Sequence, residues 1–260
     1  MQRRAGRRDF GASTLEYAAA FAIAATLIVA VVWAARLTPV GPLLSDAVCK
    51  VSTAVGVGAC ADGPDSDGGD RTDPADVDIP DGLDRDSELV QRLLSTESGR
   101  LTLQWLADND IPIVIDPGET GAYWNGTEIV LGEGYDDAAV VVHEANHAQA
   151  TVNGRSANAN TQSRDDYVTT AVNEEVDGTV EQIQAAQELR IAGYTVGRQP
   201  AERAYDTAYQ QAIQDGQTRA QAERAGWEAV RGEFYNGNIV TSTNGQSYPE
   251  YYGDYWDSVN

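Results

Sequence analysis

His143, Glu144 and His147 stand in one run, H-E-A-N-H, and these are the only two histidines among 260 residues. Positions i and i+4 of a helix lie on one face, so both imidazoles can reach one ion. Imidazole nitrogen suits a zinc ion (Zn2+), and a catalytic zinc site keeps one position open for water. A glutamate directly after the first histidine then lies beside that water and can take its proton. The spacing therefore points to metal-assisted hydrolysis, with His143 and His147 as metal ligands and Glu144 as general base.

Such a run works only on a rigid, buried helix. Val140, Val141 and Val142 precede it, Ala145 and Ala148 lie within and after it, and Asp136 or Asp137 can cap its start. The pattern predicts a helix over 137–151, ended at Asn153-Gly154. Upstream, 87–95 and 100–108 read as short helices and 111–115 as a strand. Asn125-Gly126 between two β-rich segments is a hairpin signal, with 127–131 as the second strand. Downstream, helices are expected over 165–192, 201–215 and 218–233, the last opened by a capping box of Thr218 and Gln221. Residues beyond these are aromatic and polar, with Tyr248, Tyr251, Tyr252 and Trp256.

With no third histidine, a carboxylate must complete the ligand set. The helix at 165–192 offers Glu174, Glu175 and Glu181. At 100° per residue its apolar stripe runs through Val168, Val172, Val176, Val180 and Ile183. Glu175 lies about 100° from Val176, on the margin of the stripe, whereas Glu174 lies about 160° and Glu181 about 140° away. A ligand must point toward a packed neighbour helix, which favours Glu175. Gly178 would let the two helices approach closely. Asp177 is a candidate to orient a ligand histidine. Tyr167, Tyr194 and the C-terminal tyrosines are candidate donors to an oxyanion.

H-E-x-x-H with a carboxylate as third ligand resembles the gluzincin class of zinc metallopeptidases, and the chain is also similar to actinobacterial metallopeptidase domains of unknown substrate. The resemblance implies an α+β fold, a minimal zincin-like domain that is mostly helical with a small β-hairpin sheet, and a peptide or protein substrate. In that family an edge strand beside the cleft binds extended substrate by strand addition. Here the role would fall to Thr127, Glu128, Ile129 and Val130. The family pattern N-E-x-x-S-D aligns with Asn173 and Glu174, with Asp177 and Gly178 in place of Ser-Asp, so it points to Glu174 where helical geometry points to Glu175.

Outside the catalytic region the chain carries a different device. Arg3, Arg4, Arg7 and Arg8 precede an apolar run at 17–35, long enough to span a bilayer with the arginines inside and the remainder outside. The sequence FGASTLEYAAAF resembles the processing site of Flp-type pilins and TadE-like pseudopilins, with Gly11, Glu16 and Tyr17 at the family's spacing. This implies cleavage after Gly11 and partners in a pilus or secretion apparatus. Cys49 and Cys60 lie just outside the span and read as a disulfide in an exported segment. The division expected is a pilin-like transmembrane segment at 1–36, a juxtamembrane segment at 37–60, an acidic disordered linker at 61–86 and the zincin-like domain at 87–260. The net charge of −22 argues against nucleic acid as a partner. Two other functions fit the same residues: a pilus- or secretion-associated structural protein with a non-catalytic zincin fold, and a metallopeptidase toxin effector.

Overall fold

The computed structural model describes residues 73–135 and 137–260. The expectations for Gly11, the apolar run at 17–35, Cys49, Cys60 and most of the acidic stretch lie outside the described residues. Among the described residues no helix is long and apolar enough to cross a membrane.

The chain runs α1 (Glu88–Leu94), α2 (Glu97–Asp108), β1 (Ile113–Ile115), β2 (Ala122–Trp124), β3 (Ile129–Leu131), α3 (Ala138–Val152), α4 (Arg164–Ile191), α5 (Glu202–Gln214), α6 (Arg219–Tyr235) and α7 (Tyr248–Val259). It is mostly helical with one small sheet, an α+β arrangement. Ser87, Thr96, Asp137, Ser163 and Thr218 each cap a helix by accepting a backbone N–H through the side-chain oxygen, and Thr218 with Gln221 closes the expected capping box.

The sheet departs from expectation in one consequential respect. Its order is β1-β3-β2, with β3 parallel to β1 and antiparallel to β2. The hairpin at Asn125-Gly126 forms: Asn125 N–H donates to the Glu128 carbonyl at 3.1 Å, and Gly126 takes φ +101°. The strand containing Ile129, Val130 and Leu131 is nevertheless central, paired on both sides, so strand addition there is closed. All three of its residues are buried, and a strand covered on both faces and both edges reads as a continuous apolar run. The edge next to α3 is β2.

The described part of the acidic stretch also differs from a linker. Val77 is 1% exposed and Ile79 and Leu83 pack against the main core. The Asp81 carbonyl accepts from Ile113 N–H at 2.9 Å, and Asp78 N–H donates to Gln104 at 3.0 Å. Val77 and Ile79, two apart in an extended segment, share one face, and that face is buried while the aspartates between and beside them reach water. The folded unit therefore includes these residues, upstream of position 87.

Two cores flank α4. One joins α1, α2, the sheet and α3 to Ala185, Ala186 and Leu189 of α4. The other joins Val172, Val176, Val180 and Ile183 of α4 to Tyr205, Val230 and Phe234. The valine stripe of α4 thus faces α5 and α6, and a face of small residues is left for α3. The C-terminal segment forms α7, a helix not expected from the sequence: Ser247 stands at its N-cap and Pro249 in its first turn, where a missing N–H costs nothing. Arg164 clasps Asp257 at 3.0 Å, and Trp256 Nε1 donates to the Gln162 carbonyl at 3.2 Å.

Candidate metal centre

The sequence of α3 is rich in alanine and valine, and Val141, Ala145 and Ala148 are fully buried. Small side chains let α4 approach closely on the histidine side. The limit of that approach is Gly178: a Cβ built there would lie 3.1 Å from Cε1 of His143 and 3.2 Å from both ring nitrogens. Any larger residue would separate the helices at the point where the imidazole rests.

His143, His147 and Glu175 come together as a group able to hold a metal ion. The two Nε2 atoms lie 3.2 Å apart, and Glu175 Oε2 lies 3.7 Å from that of His143 and 3.8 Å from that of His147. A point equidistant from the three atoms is roughly 2.1 Å from each, the length of a divalent transition-metal bond to imidazole or carboxylate. The donor set of two imidazoles and one carboxylate suits such an ion. Side-chain exposures of 15%, 17% and 12% leave the group covered yet reachable.

Glu174 does not join this group. Its Oε1 lies 2.9 Å from Nδ1 of His147. A carboxylate only accepts, so it fixes the proton on Nδ1 and turns the Nε2 lone pair toward the other two ligand atoms. Asp177, a candidate to orient a ligand histidine, accepts from Trp227 Nε1 at 2.6 Å and ties α6 to α4. The orienting role falls one turn earlier, to Glu174, which lies opposite the valine stripe and meets His147 of α3.

Glu144 is 8% exposed and lies beside the ligand group. Its Oε2 accepts the backbone N–H of Trp124 at 3.1 Å. Hydrogen bonds at Gly121/Gly132 and Asn125/Glu128 fix the alternation of the β2–β3 ladder, which leaves the polar backbone groups of Ala122 and Trp124 directed at the open edge. Trp124 is also held through its indole N–H, which donates to Thr151 Oγ1 of α3 at 3.0 Å. The edge strand and the glutamate are thus fixed to each other.

The electrostatics follow from burial of several carboxylates beside two imidazoles. Burial pushes the Glu144 carboxyl up, against the pull of both histidines and the Trp124 N–H. Burial alone would lower His147, but the hydrogen bond to Glu174 and the charges of Glu175 and Glu144 outweigh it and raise it to about 9. Glu175 is held below the usual carboxylate range despite its burial, by both histidines and by the Tyr252 hydroxyl, which donates to Oε1 at 2.5 Å.

Two C-terminal tyrosines complete the surroundings. Tyr248 and Tyr252, one turn apart on α7, stand on the same side of that helix. Burial and the charges of Glu175 and Glu144 raise the Tyr248 phenol, whose ring centroid lies 6.1 Å from that of Tyr252. Among the described residues nothing hydrogen-bonds the Tyr248 hydroxyl. Tyr167 packs edge-on to Tyr252 with centroids 6.2 Å apart, and Tyr194 lies under the Arg92 guanidinium at 5.6 Å. The sequence signal for the pair was available in S-Y-P-x-x-Y, a capped helix start with tyrosines four apart.

Compared with protein-family models, with curated proteins and with solved structures, the chain finds no match.

Proposed function

We propose that this chain is a zinc-dependent peptidase that hydrolyses extended peptide segments laid along the free edge of β2. The observation that carries the reading is the Glu144 carboxylate, buried beside the His143–His147–Glu175 group and hydrogen-bonded to the edge strand that would take the substrate. A zinc ion held by His143, His147 and Glu175 would polarise the scissile carbonyl and acidify a bound water to a pKa of about 7.

The residues supply the rest. Trp124 N–H holds Oε2 of Glu144, so the carboxylate stays oriented while its other oxygen takes the proton of the attacking water. The raised carboxyl can then pass that proton to the leaving nitrogen as the C–N bond breaks. The Ala122 N–H and the Ala122 and Trp124 carbonyls on the open edge support binding of an extended chain. The unpartnered Tyr248 hydroxyl supports a role as donor to the oxygen that gains charge at the scissile carbon. The arginine-flanked apolar run at 17–35 supports placing this activity on the outer side of a membrane.

The test is metal analysis joined to hydrolysis of a mixed-sequence peptide library. The wild-type chain is expected to hold one zinc and cleave. Glu144→Gln is expected to hold the same zinc and lose about 100- to 10,000-fold in turnover. A Glu144→Gln variant as active as wild type would refute the mechanism, and zinc-loaded wild type that cleaves no member of the library would refute the activity.

A further inference from the structure

Of the two ligand imidazoles, only His147 has its second nitrogen held, by Glu174 at 2.9 Å. The Nδ1 of His143 is buried and meets no hydrogen-bond partner among the described residues. A neutral imidazole that gives Nε2 to a metal carries its proton on Nδ1, so His143 has a buried N–H to satisfy.

The helix pair indicates where its acceptor must come from. His147 stands opposite Glu174 and His143 opposite Gly178, so α3 and α4 run antiparallel. Both ring nitrogens of His143 are 3.2 Å from the Cβ position of Gly178, so the ring lies across this glycine with one nitrogen to each side. Its Nε2 is directed to Glu175, at 3.7 Å. Glu175 lies one turn before Gly178, rotated about 60° around the helix axis. The residue one turn after Gly178, rotated about 60° the other way, is Glu181. Nδ1 therefore points to the flank from which Glu181 projects. Burial raises the Glu181 carboxyl, and Asn146 and His143 of α3 pull it back down. Among the described residues Glu181 has no ion-pair partner. It also lines a cavity of about 460 Å³ between α2, α3 and α4, with Val142 and Gln149, which can hold water beside the Glu181 side chain.

We propose that Glu181 is the positioning residue of His143: its carboxylate accepts the Nδ1–H through one water, as Glu174 directly accepts that of His147. Gly178 is the gap that lets the imidazole lie between Glu175 and Glu181. The proposal rests on the metal-centre reading and is independent of whether peptides are cleaved.

Zinc affinity of the full-length chain, measured by competition with a chromophoric chelator, tests it, together with long-range ¹H–¹⁵N spectra of the histidine rings. Glu181→Ala is expected to weaken zinc 10- to 100-fold, and Glu181→Gln, which keeps an acceptor oxygen and the side-chain volume, to weaken it less. In both, the His143 Nδ1–H resonance should move while that of His147 stays. A role in packing alone would not move one ring's signal selectively. Should Glu181→Ala fail to fold, the His143 signal and zinc affinity of Glu181→Gln decide. Wild-type affinity with an unmoved His143 signal in the variants would overturn the proposal. A wild-type chain that takes up no zinc would overturn the metal centre, and this proposal with it.

Discussion

Gly178→Ala separates the helix contact from everything else in the site. The added Cβ would sit 3.1 Å from His143 Cε1, where carbon atoms normally rest about 3.5–4.0 Å apart, so the imidazole or the whole of α3 must retreat by roughly half an ångström. Metal sites tolerate about 0.2 Å of error in each bond. The displaced Nε2 can no longer share one ion with His147 and Glu175 at full strength, and zinc affinity should fall at least about tenfold. Stability moves differently. Alanine gains about 1 kcal/mol of helix propensity over glycine, while overpacking costs about 1–3 kcal/mol. The metal-free protein should therefore lose at most about 2 kcal/mol, a few degrees in midpoint. Gly232→Ala is the control, since Gly232 of α6 has open space where its Cβ would lie, and it should bind zinc as wild type does. The assays are chelator competition for zinc and thermal melts with and without metal. Gly178→Ala with wild-type zinc affinity would show that this contact does not set the position of His143.

Three further outcomes are expected. Zinc must displace the proton of metal-free His147, whose pKa is raised to about 9, so apparent affinity should climb about tenfold per pH unit toward 9 and then flatten. Glu174→Gln, which keeps an acceptor oxygen but removes the charge that helps to raise His147, should bring the plateau to lower pH, and isothermal titration across pH 6–10 would reveal an unmoved profile if this is wrong. The same raised pKa stabilises the metal-free fold below about pH 6.5, and that contribution is lost as pH rises through 9. Tyr248→Phe should lower kcat with KM little changed, because its donor serves the transition state, and steady-state kinetics showing a change confined to KM would contradict that role. Val77→Ala should cost about 1–2 kcal/mol in chemical denaturation, since its side chain is 1% exposed, whereas no loss would return residues 73–86 to the status of a linker.

Much of the local structure was legible in the residues. Capping side chains and hydrophobic period marked the helices from α1 to α6, and Asn125-Gly126 marked the hairpin, because these signals act within a few residues of chain. The last helix was missed for a physical reason. Its apolar face is built of tyrosines, Tyr248 and Tyr252 among them, which pass for loop residues until their rings are seen packed on Phe234 and Tyr167. The position of β3 was missed because the run I-V-L suits an edge or a centre equally, and parallel pairing with β1 is decided by contacts across the sheet.

What the sequence determined by itself is the chemistry on one helix: His143 and His147 share a face because 3.6 residues make a turn, and Glu144 stands next to them for the same reason. Helix geometry also favoured Glu175, but through the valine stripe, and that stripe faces α5 and α6. The face that meets α3 lies opposite, where Glu174, Gly178 and Glu181 line up. Only the antiparallel packing of α3 on α4 could divide the neighbouring glutamates, sending Glu175 to the two Nε2 atoms and Glu174 to the back of His147. Only the sheet order could hand Glu144 to Trp124 of β2, and only the return of α7 could bring Tyr248 and Tyr252 to the same site. Those assignments depend on which surfaces meet, and surfaces far apart in sequence meet only when the whole domain has closed around its two cores.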